Sequence, residues 1–355
     1  MELLGKSKEE LQAMLAAMGE PAYRAAQIYH ALYAERKLSL DEMTTLPEAL
    51  RKRLSEKAHV HLPAVQQRFV SKDGSVRYLM ALPVGDDKIT ARLASVEAVF
   101  MPSDGRQTIC ISTQAGCAVD CQFCLTAQLG LIRNLTAGEI LAQILLPLKD
   151  MAAQGELTPQ TNVVLMGQGE PLLNFDAVMA AMRIALDPRG MKISPRHVTL
   201  STSGIVPGIA RLAEEKVRPK LAVSLNASCD EQRDVLMPIN KKYPLRVLLD
   251  ACKKFPRGSR EYVTFEYVLL GGVNDSPDDA RRVAKLMSDL GRVKVNLIPW
   301  NPGALPYAEP TRERVADFHR ILLQKGVPAF TRYSRGRDVL AACGQLALTQ
   351  IAAAP

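Results

Sequence analysis

The sequence predicts an α/β protein built on a parallel sheet, preceded by a small, mostly helical accessory domain. Two observations predict it. From Gln107 onward, apolar and β-branched runs of strand length alternate with helical stretches, the pattern of parallel strands joined by right-handed crossovers. Before residue 60 the pattern is helical instead, and 355 residues are enough for one large domain and a small one.

Taken in order, residues 7–19 read as a helix. Ser7 can cap it, and Glu9 and Glu10 fall in the first turn, where the helix dipole favours acidic groups. Residues 21–35 and 47–57 read as two further helices. Short strands are expected near 65–71, 75–82 and 92–100, which makes residues 1–100 the accessory domain with its bridging strands. The core, 101–338, then offers six strands, at 107–112, 162–167, 196–201, 220–225, 262–269 and 293–298. Helices are expected near 136–153, 174–186, 207–216, 245–255 and 277–290. A helix at 311–325 and a strand at 328–333 lead to a C-terminal loop and tail, 339–355. Its Ala-rich end after Leu346 reads as a short helix or a frayed end.

The net charge of +8 admits a nucleic-acid partner without requiring one. Seven cysteines, an odd count without a regular framework, argue against a secreted disulfide scaffold and suit a reducing cytoplasm. The N-terminus has no apolar signal core, and no uncharged run reaches the ~18 apolar residues of a membrane span. A cytoplasmic protein without membrane contact is therefore expected.

Cys117, Cys121 and Cys124 stand in the run GCAVDCQFC, spaced C-x3-C-x2-C. A closed zinc site takes four ligands, and a cubane iron–sulfur cluster usually takes four thiolates. Three thiolates on one loop would leave one iron of a [4Fe–4S] cluster open to a small molecule. The plainer alternatives are buried cysteines or half of a zinc knuckle.

In barrels of parallel strands, chemistry collects at the C-terminal strand ends. The cysteine loop follows the first core strand. Gly167, Gly169 and Glu170, in MGQGEPLLN, follow the second. Ser201 ends the third, Ser224, Leu225 and Asn226 end the fourth, and Asn301, in PWNP, follows the sixth. These positions should converge at one mouth. Glycines let backbone approach a ligand, and Glu170 offers a carboxylate to an ammonium group. Ser201, Ser224 and Asn226 suit ribose hydroxyls or a carboxylate, and Asn301 suits an adenine edge. Singly, such residues equally well satisfy local backbone.

The cysteine spacing, with Phe123 before the last cysteine, resembles the radical S-adenosylmethionine (SAM) superfamily, in which SAM chelates the fourth iron. That resemblance implies a partial (β/α)6 barrel. The segments TICISTQAGCAVDCQFCLTAQLGLIRNL, MGQGEPLLN, STSG, VSLNA, LIPWNP and AACGQL together resemble the bacterial radical SAM RNA adenine-C2 methyltransferases, over about residues 90–346. That family acts on an adenosine of 23S rRNA (A2503) and on A37 of some tRNAs. A related branch, with the same cysteines, methylates C8 of the rRNA adenosine.

The resemblance implies a [4Fe–4S] cluster on Cys117, Cys121 and Cys124, and two SAM molecules per turnover. It places Gly169, Glu170, Ser201, Ser224, Leu225, Asn226 and Asn301 around SAM. Adenine C2 is electrophilic, so direct SN2 transfer from SAM does not suit it. In the family's route Cys343 takes a methyl from one SAM. A radical from the second SAM removes hydrogen from that methyl, whose carbon then adds to C2. Glu97 accepts the C2 proton. Cys110 resolves the adduct through a disulfide with Cys343, which an external reductant resets. A flavodoxin-type electron donor is implied, and a monomer is expected.

Without the resemblance, Cys110 and Cys343 read as core cysteines, or one as a fourth cluster ligand. Cys110 then also serves as a candidate base, and Glu97 as a bridging carboxylate on a strand. Arg332, Arg335 and Arg337, and the basic residues between Lys241 and Arg260, are either phosphate contacts or a solvated face. A non-catalytic RNA-binding protein with a structural zinc or cluster is the competing reading from another class. A cluster chromophore with SAM cleavage separates the two.

Overall fold

A computed structural model describes residues 1–82 and 95–346 of the chain. Three helices open it: α1 (Lys8–Ala16), α2 (Tyr23–Tyr33) and α3 (Glu48–Lys57). Ser7 caps α1 as expected. Its hydroxyl accepts from the Glu10 N–H while the Glu10 carboxylate accepts from the Ser7 N–H, an arrangement worth about 1 kcal/mol. Leu11, Leu15, Ile28, Leu32, Leu50 and Leu54 form the buried faces of the three.

Strands β1 (Ala64–Val70), β2 (Val76–Ala81) and β3 (Ser95–Ser103) follow as an antiparallel meander, and β3 pairs antiparallel with β4 (Arg106–Cys110). A small separate hairpin comes next, β5 (Gln114–Gly116) with β6 (Leu131–Asn134), and the short helix α4 (Leu125–Gln128) lies between its strands. From α5 (Ala137–Ala153) the chain alternates: β7 (Gln160–Leu165), α6 (Phe175–Leu186), β8 (Val198–Thr202), α7 (Val206–Glu214) and β9 (Lys220–Ser224). Then come α8 (Asp230–Leu236), α9 (Leu245–Lys254), β10 (Val263–Leu269), α10 (Pro277–Met287), β11 (Val293–Pro299), α11 (Arg312–Gln324) and β12 (Ala329–Thr331).

Ten strands form one sheet in the order β1-β2-β3-β4-β7-β8-β9-β10-β11-β12, parallel from β4 onward. Two edges remain, β1 and β12, so the sheet does not close, and the partial barrel is confirmed. The strand expected at 328–333 joins it as a short seventh parallel strand. The strands expected within residues 1–100 share this sheet, and β3 runs through residue 100, so the helical unit that stands apart precedes β1. The start of the strand expected at 92–100 and the tail after Leu346 lie outside the described residues.

The parallel strands are nearly continuous apolar and β-branched runs because both their faces are covered. Ile109, Leu165, Leu200, Val223, Phe265 and Leu297 face the main core. On the opposite, concave side, Phe69, Leu79, Val99 and Cys110 pack with Val339, Ala341 and Leu346. The C-terminal segment therefore lies inside the barrel. Capping boxes start two of the crossover helices: Thr136 with Glu139 at α5, and Ser276 with Asp279 at α10, where Pro277 occupies the first turn.

Candidate active site

The β5–β6 hairpin builds the cysteine loop. Gly116 has φ +72°, and a Cβ there would stand 1.9 Å from the Gly130 carbonyl oxygen, so only glycine fits. The Cys117 N–H donates to that same carbonyl at 2.9 Å, Cys121 N–H to Val119 O at 2.9 Å, and Cys124 N–H to Cys121 O at 3.1 Å. All three cysteines line one cavity. The Val119 N–H donates to Cys117 Sγ at 3.4 Å, the kind of bond that tunes a sulfur ligand. Burial pushes the Cys117 thiol up to about 12 and holds Cys121 well above the ordinary range, with the neighbouring cysteines adding to it. Three thiols this crowded ionise readily only beside a metal.

The donor set fits a cluster better than one zinc ion. The three sulfurs do not all lie within 4.8 Å of one another, whereas ligands of one zinc at a Zn–S length of about 2.3 Å approach to roughly 3.8 Å. A cluster instead gives each thiolate its own iron.

The cavity encloses about 990 Å³ including its open mouth, within the size range of small-molecule sites. Gly169, Glu170, Ser201, Ser224, Asn226 and Asn301 line it together with the three cysteines. The convergence expected of the strand ends is thus observed. Gly169 has φ +94°, and a Cβ would meet the Gln114 backbone nitrogen at 2.7 Å. Glu170 is buried, which raises its carboxyl, while donors hold it back. Its Oε2 accepts from the Ser203 N–H at 2.6 Å and hydroxyl at 2.7 Å, and its Oε1 from the Leu172 N–H at 3.0 Å. Asn226 has φ +55°. Its Oδ1 accepts from Val268 N–H at 2.8 Å, and Asn301 Nδ2 donates to Ser334 Oγ at 2.8 Å.

Leu225 departs from the expectation. Side chains alternate along a strand, so with Ser224 and Asn226 facing the cavity, Leu225 points the other way. It is fully buried in the main core, and no side-chain contact reaches the cavity.

Cys343 and Gly344 also line the cavity. Leu125 N–H donates to Gly344 O at 2.8 Å and Thr126 Oγ1 to Leu346 O at 2.6 Å, which ties the C-terminal segment to the cysteine loop. Cys343 is solvent-accessible through the cavity, yet protein surrounds it. Burial, and then the charge of Glu266, push its thiol up to about 11, while Arg332 opposes them. Cys110 does not line the cavity. It is buried on β4 in the apolar cluster with Val339, Ala341 and Leu346, and the Cys343 charge acts on it. The structure therefore brings two residues 233 positions apart in sequence into one neighbourhood. All seven cysteines are free thiols in it.

Glu97 is fully buried on β3, outside the cavity lining, in an ion pair with Arg77, whose guanidinium stacks 4.0 Å from the Phe69 ring centroid.

Two site residues escape sequence reasoning. Glu266, in the middle of β10, lines the cavity and accepts from Asn296 Nδ2 at 2.8 Å. A single charge inside the apolar run VTFEYVL was the available signal. Arg233 on α8 is completely buried, and burial lowers its guanidinium to about 10. It donates to the carbonyls of Ser203 at 2.6 Å and of Ser224 and Leu225 at 3.1 Å. It thereby clamps the ends of β8 and β9, and through Ser203 it braces Glu170. Nothing in DEQRDVL distinguishes it from a solvated arginine.

Comparison with known proteins agrees with this geometry. Residues 111–287 match the model of the radical SAM superfamily, and residues 1–60 match that of the ribosomal RNA large subunit methyltransferase N-terminal domain. The "Probable dual-specificity RNA methyltransferase RlmN" of Koribacter versatilis is 49% identical, with 94% of this chain and 98% of the relative covered. The dual-specificity RNA methyltransferase RlmN of Geobacter sulfurreducens is 45% identical, over 98% of this chain and 92% of the relative. The crystal structure of a radical SAM methyltransferase from Sphaerobacter thermophilus superposes with a TM-score of 0.91 at 42% identity, covering 98% of this chain and all of that one. The chain is a radical SAM RNA methyltransferase and belongs to the RlmN family.

Proposed function

We propose that the protein methylates C2 of an adenosine in 23S rRNA (A2503) and in tRNA (A37), with Cys343 as methyl carrier. The observation that supports this best is the placement of Cys343 in the same cavity as Cys117, Cys121 and Cys124, with Cys110 buried behind it. Those three cysteines would hold a [4Fe–4S] cluster, which when bound supplies the one-electron reduction that cleaves SAM. Glu170 takes the ammonium of SAM, since one carboxylate in an apolar, water-poor cavity selects a cation. Ser201, Ser224, Asn226 and Asn301 orient its ribose, carboxylate and adenine.

Cys343 acts first as a nucleophile. Its S–C bond forms as the sulfonium–methyl bond of SAM breaks, and Glu266, the carboxylate that acts on this thiol, takes its proton. A second SAM serves the radical step, which makes two per turnover. After the methyl carbon is bonded to C2, Glu97 accepts the C2 proton, and its pairing with Arg77 keeps it a carboxylate. Cys110 then attacks the Cys343 sulfur. The S–S bond forms as the S–C bond breaks, and its electron pair leaves with the methylated adenine. A flavodoxin-type reductant returns both cysteines to thiols. The C-terminal segment lies between Glu97 and the cavity's contents, so it must shift during turnover.

Mass spectrometry of rRNA and tRNA nucleosides after reaction with the cluster-loaded enzyme tests this. 2-Methyladenosine is expected in both. 8-Methyladenosine would assign the chain to the related C8 chemistry, and methylation of rRNA alone would remove the tRNA part.

A further inference from the structure

We infer that Glu2, His59 and His61 form a divalent transition-metal site that clasps the two ends of the N-terminal helical unit. Their ligand atoms all lie within 4.8 Å of one another. Glu2 and His59 form a parallel β-bridge, and the backbone on either side is locked by Leu3 N–H to His59 O and His59 N–H to Met1 O, both at 2.9 Å. His59 and His61 are two residues apart on an extended segment, so both rings project from one face. Their centroids stand 4.0 Å apart.

The donor atoms are disposed for one ion. Glu2 Oε1 accepts from the Leu4 N–H at 2.8 Å, which fixes the carboxylate. Its Oε2 stands 3.0 Å from His61 Nδ1. Two ligands of one tetrahedral ion at about 2.0–2.1 Å lie roughly 3.3 Å apart, so this pair needs almost no movement. His59 needs only a small ring rotation to join. Its imidazole is held below the ordinary histidine range by burial, by His61 and by the chain's amino group, which favours the neutral form that metals bind. Imidazoles with one carboxylate suit zinc, nickel or copper rather than magnesium or calcium. Three protein ligands leave a coordination position for water.

The clasp has a definite mechanical place. It joins the residues before α1 to the segment that follows α3 and leads into β1. A bound ion would fix the helical unit on the sheet it precedes. This proposal is independent of the methyl-transfer chemistry.

The test is calorimetric titration of zinc chloride into the full-length, cluster-loaded protein under anaerobic conditions, beside His61→Ala and His59→Asn variants. The cluster occupies Cys117, Cys121 and Cys124, and the remaining thiols are common to all three proteins. The parent protein should bind one more equivalent than either variant, with micromolar affinity. Its unfolding midpoint should rise with zinc while those of the variants do not. Equal stoichiometry and equal midpoint shifts in all three proteins would overturn the site. Should one variant misfold, circular dichroism identifies it and the other variant decides.

Discussion

The wall of the barrel and the C-terminal segment inside it hold one of the two paired cysteines each, and hold them differently. Cys110 ends β4, which is hydrogen-bonded on one side to β3 and on the other to β7. Its position is dictated by a ladder of backbone bonds and by apolar neighbours on its concave face. Cys343 belongs to a segment without regular structure, fastened by Leu125 N–H to Gly344 O, Thr126 Oγ1 to Leu346 O, and Gln345 Nε2 to Pro302 O at 2.9 Å. A few local bonds open at much lower free energy than a central strand. The difference teaches a division of labour. The carrier sits on the element that can move, and the resolving thiol sits on one that cannot.

The largest effect is expected on the fixed side. Replacing Cys117, Cys121 or Cys124 by Ala should abolish 5′-deoxyadenosine formation under reducing conditions while leaving the sheet intact by circular dichroism. Retained SAM cleavage in a triple variant would remove these residues from the cluster. Next comes Arg233→Met, which strands the buried carbonyls of Ser203, Ser224 and Leu225. Unpaired buried acceptors cost about 1–3 kcal/mol each, so urea unfolding should show a loss on the order of 3 kcal/mol or more. A midpoint unchanged from the parent would show that the clamp is not needed.

Glu170→Gln removes the charge that faces the SAM ammonium but keeps the shape. A lost charged hydrogen bond is worth roughly 1.5–3 kcal/mol, about a tenfold to a hundredfold in affinity. Equilibrium titration with SAM should show this with cluster absorbance unchanged, and unaltered affinity would place the carboxylate outside the ligand's reach. The smallest effect is expected on the mobile side. Thr126→Val deletes one tie to the C-terminal segment, worth about 0.5–1.5 kcal/mol. Amide exchange at residues 340–346 should quicken several-fold while β4 is unaffected. Equal acceleration in both would erase the contrast between wall and segment.

Much of this was legible beforehand, for physical reasons that differ by region. Strands such as 262–269 and 293–298 read clearly because burial on both faces leaves continuous apolar runs. Helix starts at Ser7, Thr136 and Ser276 followed from local capping chemistry. The strand-end residues converged because parallel topology sends every C-terminal end to one mouth. The short elements β5, β6, α4 and α8 were missed, since their sequences have no periodicity and tertiary bonds alone shape them. Leu225 went wrong by one position of a two-residue period. Arg233 and the Arg77–Glu97 pair depend on partners far along the chain, which no local pattern reveals. The roles of Cys110 and Cys343 came from the family resemblance. Their spatial meeting is what the fold adds.

The central claim, that Cys343 carries the methyl and Cys110 releases the product, is tested most directly by denaturing electrophoresis of Cys110→Ala and Cys343→Ala proteins expressed in cells, with and without ribonuclease. Cys110→Ala should accumulate a nuclease-sensitive, slower-migrating protein–RNA adduct, because the carbon bond forms and nothing cleaves the thioether. Cys343→Ala should run as free protein. A crosslink in the Cys343→Ala lane, or none in either, would contradict the account.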